Sequence, residues 1–574
     1  MTQEPATRAA AGRALPAILA ANRVPRLVGN FTYLVGFLDL ATALLHSLRH
    51  RLNGLFDVLP GAVSAAATAA TVVSGILLVV LGHSLKRRKI RAWRAATVLL
   101  AFSVVLHVVK FEPASGLASV VGLVLLLMYH KEFRALGDPS TRWGAVWVGA
   151  VLLSVSVLLG FLTVWLNRRF IVGGWPHLRA IAEEIGLGLV GVSGPLQFSR
   201  DRSNDIVGAV LLGLGLMTAL TTAYLALRPP EPRPELTDEE AARLRELLSR
   251  HADSLAYFNT RRDKSVVWSA TGKAAIAYRV VSGVMLASGD PIGDPEAWPG
   301  AIKAFVEEAV AHAWTPAVLG CSEAAGTVWV RETGFAALEL GDEAVVDTST
   351  FTLEGRPMRN VRQMVGRIAR TGYAVEVTRV RDVPAGVRAR AMRDAAAWRS
   401  TDTERGFSMA LGRLLDDCDP DCVFVAARQD GVVRAFLQFV PWGRDGMSLD
   451  VMRRDSTAQP GVNELMIVEA LKAAPSLGVS RVSLNFAAFR SALERGEKLG
   501  AGPILRIWRR LLLIASRWLQ IESLYRFNAK FQPHWQPRFL VYPTGSDLPR
   551  VGLAALEAEA FLTWPKLGRL GGAR

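Results

Sequence analysis

Up to about Leu227 the chain is a succession of apolar runs separated by short polar breaks, and this pattern constrains the fold more than any other feature. A bilayer-spanning helix needs about 20 mostly apolar residues. Inside a bilayer, only helices or closed barrels satisfy all their backbone polar groups. The runs are Leu27–Leu48, Val63–His83, Ala95–Val109, Gly116–Tyr129, Trp143–Leu166 and Asp205–Leu227. The third and fourth are short and divided by Lys110-Phe111-Glu112-Pro113, so a tight hairpin that tilts or thins the bilayer is expected there. Ile185–Leu196 is apolar but glycine-rich and too short to span; it is expected to re-enter or to cover the outer face. The expectation is an all-α polytopic membrane domain of about six helices over 27–228, behind a basic tail, 1–26.

Charge supports this division. Residues 1–230 hold 22 Lys/Arg against 10 Asp/Glu, out of 67 and 51 in the whole chain, so the basic excess sits mainly in the apolar part. A high overall charge is therefore not a nucleic-acid footprint by itself. The loop Ser84–Arg94 carries Lys86, Arg87, Arg88, Lys89, Arg91 and Arg94, which places it on the cytoplasmic side by the positive-inside rule. With an even number of spans, both termini are then cytoplasmic. The arginines at 168, 169, 179, 200 and 202 run against this assignment, in a longer loop where the rule is weaker. The start of the chain does not read as a cleavable signal, because Pro16, Pro25 and several arginines break it.

Pro229-Pro230-Glu231-Pro232-Arg233-Pro234 reads as a stiff linker, 229–236. Thr237-Asp238-Glu239-Glu240 then reads as a helix N-cap with an acidic first turn. Beyond it, short β-branched runs alternate with amphipathic helices. Strands are expected at Ala275–Val280, Val284–Ser288, Asp421–Ala427, Ala435–Val440, Met447–Val451 and Val482–Phe486, with helices at Trp298–Ala313 and Asn463–Ala474. Gly341-Asp342 reads as a turn. A strand, helix, strand order occurs twice, which suggests two similar α/β units, 237–385 and 386–560, followed by a tail, 561–574. Cys321, Cys418 and Cys422 read as free thiols, since no histidine or second cysteine pair completes a zinc site.

Ordered blocks run from about Tyr257 to Tyr542. They include Gly289-Asp290-Pro291-Ile292-Gly293, Gly341-Asp342-Glu343-Ala344-Val345-Val346-Asp347 and Arg359-Asn360-Val361-Arg362-Gln363. They continue through Arg405-Gly406-Phe407-Ser408-Met409, Leu449-Asp450-Val451-Met452-Arg453-Arg454, Ser483-Leu484-Asn485-Phe486-Ala487-Ala488-Phe489 and Arg526-Phe527-Asn528-Ala529-Lys530-Phe531-Gln532-Pro533. On these blocks the soluble half resembles the catalytic domain of the bacterial lysylphosphatidylglycerol synthases, the multiple peptide resistance factor family, in the form found in actinobacterial LysX-type proteins. The resemblance implies two tandem acyltransferase folds of the GNAT type, the second catalytic. It implies transfer of an amino acid, lysine first among the candidates, from aminoacyl-tRNA to the glycerol of phosphatidylglycerol, at the plasma membrane. No part of the sequence reads as the lysyl-tRNA synthetase that longer LysX-type proteins carry.

Ester exchange from an activated donor needs no cofactor, metal or covalent nucleophile. It needs an aligned hydroxyl, a proton path and an oxyanion site. The candidate catalytic residues are Asp450, Arg453 and Asn485, at the ends of neighbouring strands. A carboxylate there suits an ammonium or hydroxyl, a guanidinium suits a phosphate, and an amide suits an ester carbonyl. A structural ion pair or a strand-end turn accounts for the same residues. The candidate substrate-binding residues are Glu464, Arg454, Lys530, Arg359 and Arg362. Glu464 also fits as a first-turn acid on a helix. Arg359 and Arg362 belong to a basic, mostly helical stretch, Arg356–Arg370, suited to tRNA phosphates or to a solvated helix face. Trp508–Leu519 is amphipathic and fits a membrane surface or a core helix. The first unit, with Asp263, Lys264 and Asp290, reads as scaffold.

Three rival functions remain open. A coenzyme-A acetyltransferase would use Arg331-Glu332-Thr333-Gly334-Phe335-Ala336 as a pyrophosphate loop, but the following residues read as a strand, not a helix. The others are a lipid flippase with a regulatory domain and a peptidoglycan aminoacyltransferase.

Overall fold

The computed structural model describes residues 23–52, 61–86, 88, 90–109, 113–133, 140–227, 232, 236–249, 253–398, 406–488 and 521–562. Trp508–Leu519 lies outside the described residues. The chain divides into a helical unit, within 17–231, and an α/β unit, within 232–566.

In the helical unit the six apolar runs become the helices Arg23–Leu52, Gly61–Leu85, Ile90–Val109, Pro113–Met128, Ser140–Leu166 and Asp201–Leu227. Two stretches in them, Trp147–Leu166 and Ser203–Ala223, are long and apolar enough to cross a membrane. Only 17 % and 11 % of their windows is buried, whereas the core helix of a soluble protein would be mostly covered. The third and fourth helices are shorter, as the sequence predicts. Ile185–Leu196 is not one element: the helix Leu178–Leu189 takes its first part. The first two helices meet along glycines. A Cβ on Gly36 would lie 2.7 Å from the Gly75 carbonyl oxygen, and one on Gly29 would lie 2.8 Å from that of Gly82. Small residues at such crossings bring the two backbones into contact. Asp39 is fully buried here, accepting from Ser103 Oγ at 2.8 Å and pairing with His107 Nε2 at 2.9 Å.

The α/β unit opens with the expected cap. Thr237 Oγ1 accepts from Glu240 N and the Glu240 carboxylate accepts from Thr237 N, closing a capping box on the helix Asp238–Leu248. The strands are β1 Ser265–Trp268, β2 Ala274–Val281, β3 Val284–Ser288, β4 Ile292–Gly293, β5 Thr315–Ser322, β6 Ala336–Asp347, β7 Tyr373–Arg379, β8 Val423–Gln429, β9 Val432–Trp442, β10 Gly446–Arg454, β11 Arg481–Ala488 and β12 His534–Tyr542. They form one continuous sheet in the order β1-β2-β3-β5-β12-β6-β11-β10-β9-β8-β7, with β4 on β2.

The order shows the tandem relation and adds a strand exchange. In the first half, β3 leads through the helix Trp298–Ala311 to the parallel β5. In the second half, β10 leads through the helix Val462–Ala473 to the parallel β11. Each half then gives its last strand to the other: β6 pairs with β11, and β12 pairs with β5. Between them β6 and β12 pair antiparallel from Ala336↔Tyr542 to Val345↔His534, so the halves share a seam rather than a linker. Gly341-Asp342 is not a turn. It lies inside the long β6, where a bulge opposite Arg538/Phe539 takes up the extra residue.

A buried ion cluster fastens the seam. Arg538, in β12, is 1 % exposed and donates to both Asp253 oxygens at 2.8 Å, to Glu343 and to Ser254 Oγ. Burial opposes its charge, but Asp253 and Glu343 more than reverse that and hold it above the ordinary arginine range. Apolar packing does the rest. Val361, Val365 and Ile368 of the helix Arg359–Ala369 join Leu465, Ile467 and Val468 over β8, β9 and β10.

Candidate active site

Strands β10 and β11 stay paired only from Gly446↔Arg481 to Ser448↔Ser483. Beyond that, β10 follows β9 as far as Arg454, and β11 follows β6 as far as Ala488. A wedge therefore opens between two adjacent parallel strands, at their carboxyl ends, where open α/β sheets place ligands. Both strands are bulged where they part. The β9–β10 register slips between Leu449 and Val451, leaving Asp450 as the extra residue. The β6–β11 register slips between Ser483 and Phe486, and Asn485 there has φ +70°. Bulges re-aim side chains, and asparagine is among the few residues that tolerate a left-handed backbone.

The two bulge residues hold one segment between them. Asp450 Oδ1 accepts from Leu411 N at 2.8 Å, and Oδ2 accepts from Gln438 Nε2 at 2.8 Å. Gln438 is buried; its Oε1 accepts from Leu415 N and its Nε2 also donates to Arg413 O. Asn485 Nδ2 donates to Leu449 O at 3.0 Å and to Met409 O at 3.2 Å. The segment Met409–Leu411, which continues the block Arg405–Met409 noted in the sequence without a role, thus crosses the mouth of the wedge.

Glu464, in the first turn of the helix Val462–Ala473, is buried and accepts from Lys530 Nζ at 2.8 Å, while Lys530 is 41 % exposed. Asn528, two residues earlier, donates to Leu484 O, beside Asn485. The Asn528–Lys530 block therefore sits against β11 and the first turn of the helix Val462–Ala473. Arg453 is half-buried near the end of β10 and donates to Met452 O at 3.2 Å; Arg454 beside it is exposed. Arg359 and Arg362 are exposed on their own helix. Arg362 donates to Leu353 O and Gly355 O, and no hydrogen bond or ion pair joins Arg359, Arg362 or Arg454 to the wedge residues among the described residues.

The first half's corresponding opening is bonded shut. Past the last β3–β5 pair, Ser288↔Leu319, the Asp290 carboxylate accepts from Ser322 N at 2.7 Å and from Ser322 Oγ at 2.6 Å. Burial pushes Asp290 up to about 7; Asp253 adds to this and Arg538 opposes it. Lys264 is fully buried, donating to Phe258 O, Asn259 Oδ1 and Ser288 Oγ, and burial pushes it well below the usual lysine range. Gly334, the glycine of the acetyltransferase-like letters, is a left-handed cap that ends the helix Glu323–Thr333, so those letters open no phosphate-binding helix.

Sequence reasoning did not single out Gln438, Glu559 or Arg538. Arg538 had a signal, a lone arginine beside Phe539-Leu540-Val541 in a β-rich run. Such a residue is either at an edge or buried with partners.

The C-terminal family of phosphatidylglycerol lysyltransferases matches residues 245–542. The lysylphosphatidylglycerol biosynthesis bifunctional protein LysX of Rhodococcus opacus is 44 % identical over 506 residues, covering 86 % of this chain and 45 % of that protein. The protein of the same name from Mycobacterium avium is 41 % identical over 508 residues, covering 85 % of this chain and 42 % of that protein. The chain thus spans less than half the length of these relatives. The solved structure of L-PGS from Bacillus licheniformis covers 58 % of this chain and 100 % of its own, with a TM-score of 0.50 and 20 % identity, and shares the fold of the α/β unit. From the matched span, more than half of its length, the chain belongs to the phosphatidylglycerol lysyltransferase family.

Proposed function

We propose that this chain transfers lysine from lysyl-tRNA to a glycerol hydroxyl of phosphatidylglycerol, using the wedge between β10 and β11. The observation that carries this reading is the pair of bulges at Asp450 and Asn485, whose side chains both bond the Met409–Leu411 segment where β10 and β11 part. In the reaction the lipid hydroxyl oxygen attacks the aminoacyl carbonyl. The new ester forms as the bond to the tRNA ribose breaks, and the proton of the lipid hydroxyl ends on that ribose oxygen. Arg453 holds a phosphate, of lipid or of the tRNA end. The outer face of Asp450 orients the incoming ammonium or hydroxyl. Both amide hydrogens of Asn485 serve Leu449 and Met409, so Asn485 sets the width of the wedge instead of touching the ester. Lys530, exposed beside a buried carboxylate, is placed to meet a second phosphate. Arg359, Arg362 and Arg454 offer charge to the rest of the tRNA. The product lipid carries net positive charge, which lowers the negative charge of the membrane surface and its pull on cationic antimicrobial peptides.

The helical unit is the anchor, with six spans in the plasma membrane and the α/β unit cytoplasmic, where charged tRNA is found. The apolar helices and the basic loop Ser84–Arg94 support this topology. Mass spectrometry of lipids from cells with and without the chain tests the activity: lysyl-phosphatidylglycerol should appear only with it. A reporter fused after Arg574 should be active only in the cytoplasm; activity in the periplasm would overturn the topology and the tRNA donor together.

A further inference from the structure

Glu559 follows the helix Leu548–Ala558, far along the chain from the wedge, and is buried. Its carboxylate spends its acceptors on one short segment. Oε2 accepts from Phe407 N at 2.7 Å, and Oε1 accepts from Ser408 N at 2.9 Å and from Ser408 Oγ. Its carbonyl oxygen also accepts from Gly406 N at 3.3 Å. Phe407 is fully buried among residues of β3, β5, β12 and the helix Leu548–Ala558, with Lys264 Nζ 4.6 Å from its ring centre. Leu411, four residues on, is buried in a separate cluster that includes Leu244, Phe258 and Ile292 together with Phe424, Phe436 and Val440. Arg261 donates to the carbonyls of Gly406 and Ala410. Gly406 has φ +111°, and a Cβ there would lie 2.6 Å from that of Ala410, so the tight path needs glycine.

We propose that Gly406–Leu411 is a fixed strap over the wedge and that Glu559 is its positioning residue, setting Met409 O against Asn485 and Leu411 N against Asp450. This rests on the reading of the wedge as the transfer site. Three of the four hydrogen bonds that the strap donates to Glu559 end on its carboxylate, and among the described residues the hydrogen bonds at the other end of the strap go to the two bulge residues and Arg261. Freeing the Glu559 end therefore lets the wedge relax without touching any group that meets substrate. A misplacement of about 1 Å at a reacting centre costs on the order of 100-fold in rate.

The test uses the full chain in phosphatidylglycerol vesicles with lysyl-tRNA. Glu559→Gln should lower kcat by about 10- to 100-fold and leave KM for tRNA and lipid within about twofold. Hydrogen exchange at Phe407, Ser408 and Leu411 should quicken, while β8 and β9 keep their protection. Ser408→Ala, which removes one bond, should show the same pattern more weakly. A quickened strap with kcat near normal would overturn the proposal. So would a lowered kcat with the strap unchanged, or loss of protection throughout the sheet in both variants. Absence of product from the unaltered chain would remove the reaction itself, and with it both readings, while an active chain with an indifferent Glu559 would remove the strap alone.

Discussion

Asparagine at position 450 keeps the shape of aspartate and changes only its hydrogen-bonding. Both Asp450 oxygens face donors, Leu411 N and Gln438 Nε2, each at 2.8 Å. Asparagine offers one carbonyl oxygen; its amide group then meets one of those donors head-on. Rotating Gln438 does not help, because its Oε1 already accepts from Leu415 N. One donor in a partly buried site loses its partner, at a cost of about 1–3 kcal/mol. If that cost falls on the geometry of transfer, the rate drops about 5- to 150-fold, since about 1.4 kcal/mol is tenfold. The assay is the initial rate of lysyl-phosphatidylglycerol formation by Asp450→Asn at matched membrane expression. A rate within twofold of normal would refute the reasoning: the two bulges would then be a structural closure, and the site would lie elsewhere.

Arg453→Lys keeps the charge but loses the planar fork, so lipid-product formation should fall more than about tenfold if Arg453 grips a phosphate with two hydrogen bonds. Arg538→Met leaves Glu343 and Asp253 without their cation, and the chain in detergent should lose about 3–5 kcal/mol, read from its melt. Asp290 is pushed up to about 7, so between the ordinary carboxylate range and pH 7 the folded state binds more protons than the unfolded one. Stability should therefore fall as pH rises through that window and level off above it, and Asp290→Asn should flatten this part of the pH–stability curve. Gly75→Val forces a methyl against the Gly36 carbonyl, so the helical unit should lose about 1–3 kcal/mol, seen as a lower melting temperature.

The parts of the fold legible in the sequence are those with local causes. The helices of the helical unit follow from run length alone. The β2–β3 hairpin is marked by Ser282-Gly283, both at positive φ. The capping box at Thr237 is spelled out in four letters. The strand exchange was not legible, because nothing local tells β6 and β12 to prefer each other across 195 residues, the separation of Glu343 and Arg538. Gly341-Asp342 misled for the same reason: its turn chemistry is absorbed by a bulge that exists only when β12 is alongside. At the candidate site, the sequence offers Asp450 and Asn485 as strand-end polar residues within family-like blocks. Glu559 was hidden, since a glutamate ending an amphipathic helix reads as solvated until the fold puts Phe407 and Ser408 over it.

The most direct measurement is made on the purified full chain in phosphatidylglycerol vesicles supplied with pre-charged lysyl-tRNA. Lysyl-phosphatidylglycerol should form in step with loss of charged tRNA. It should not form when ribonuclease is added first or when phosphatidylethanolamine replaces the acceptor lipid. Failure of the unaltered chain to make product, or product that survives ribonuclease, would contradict the account.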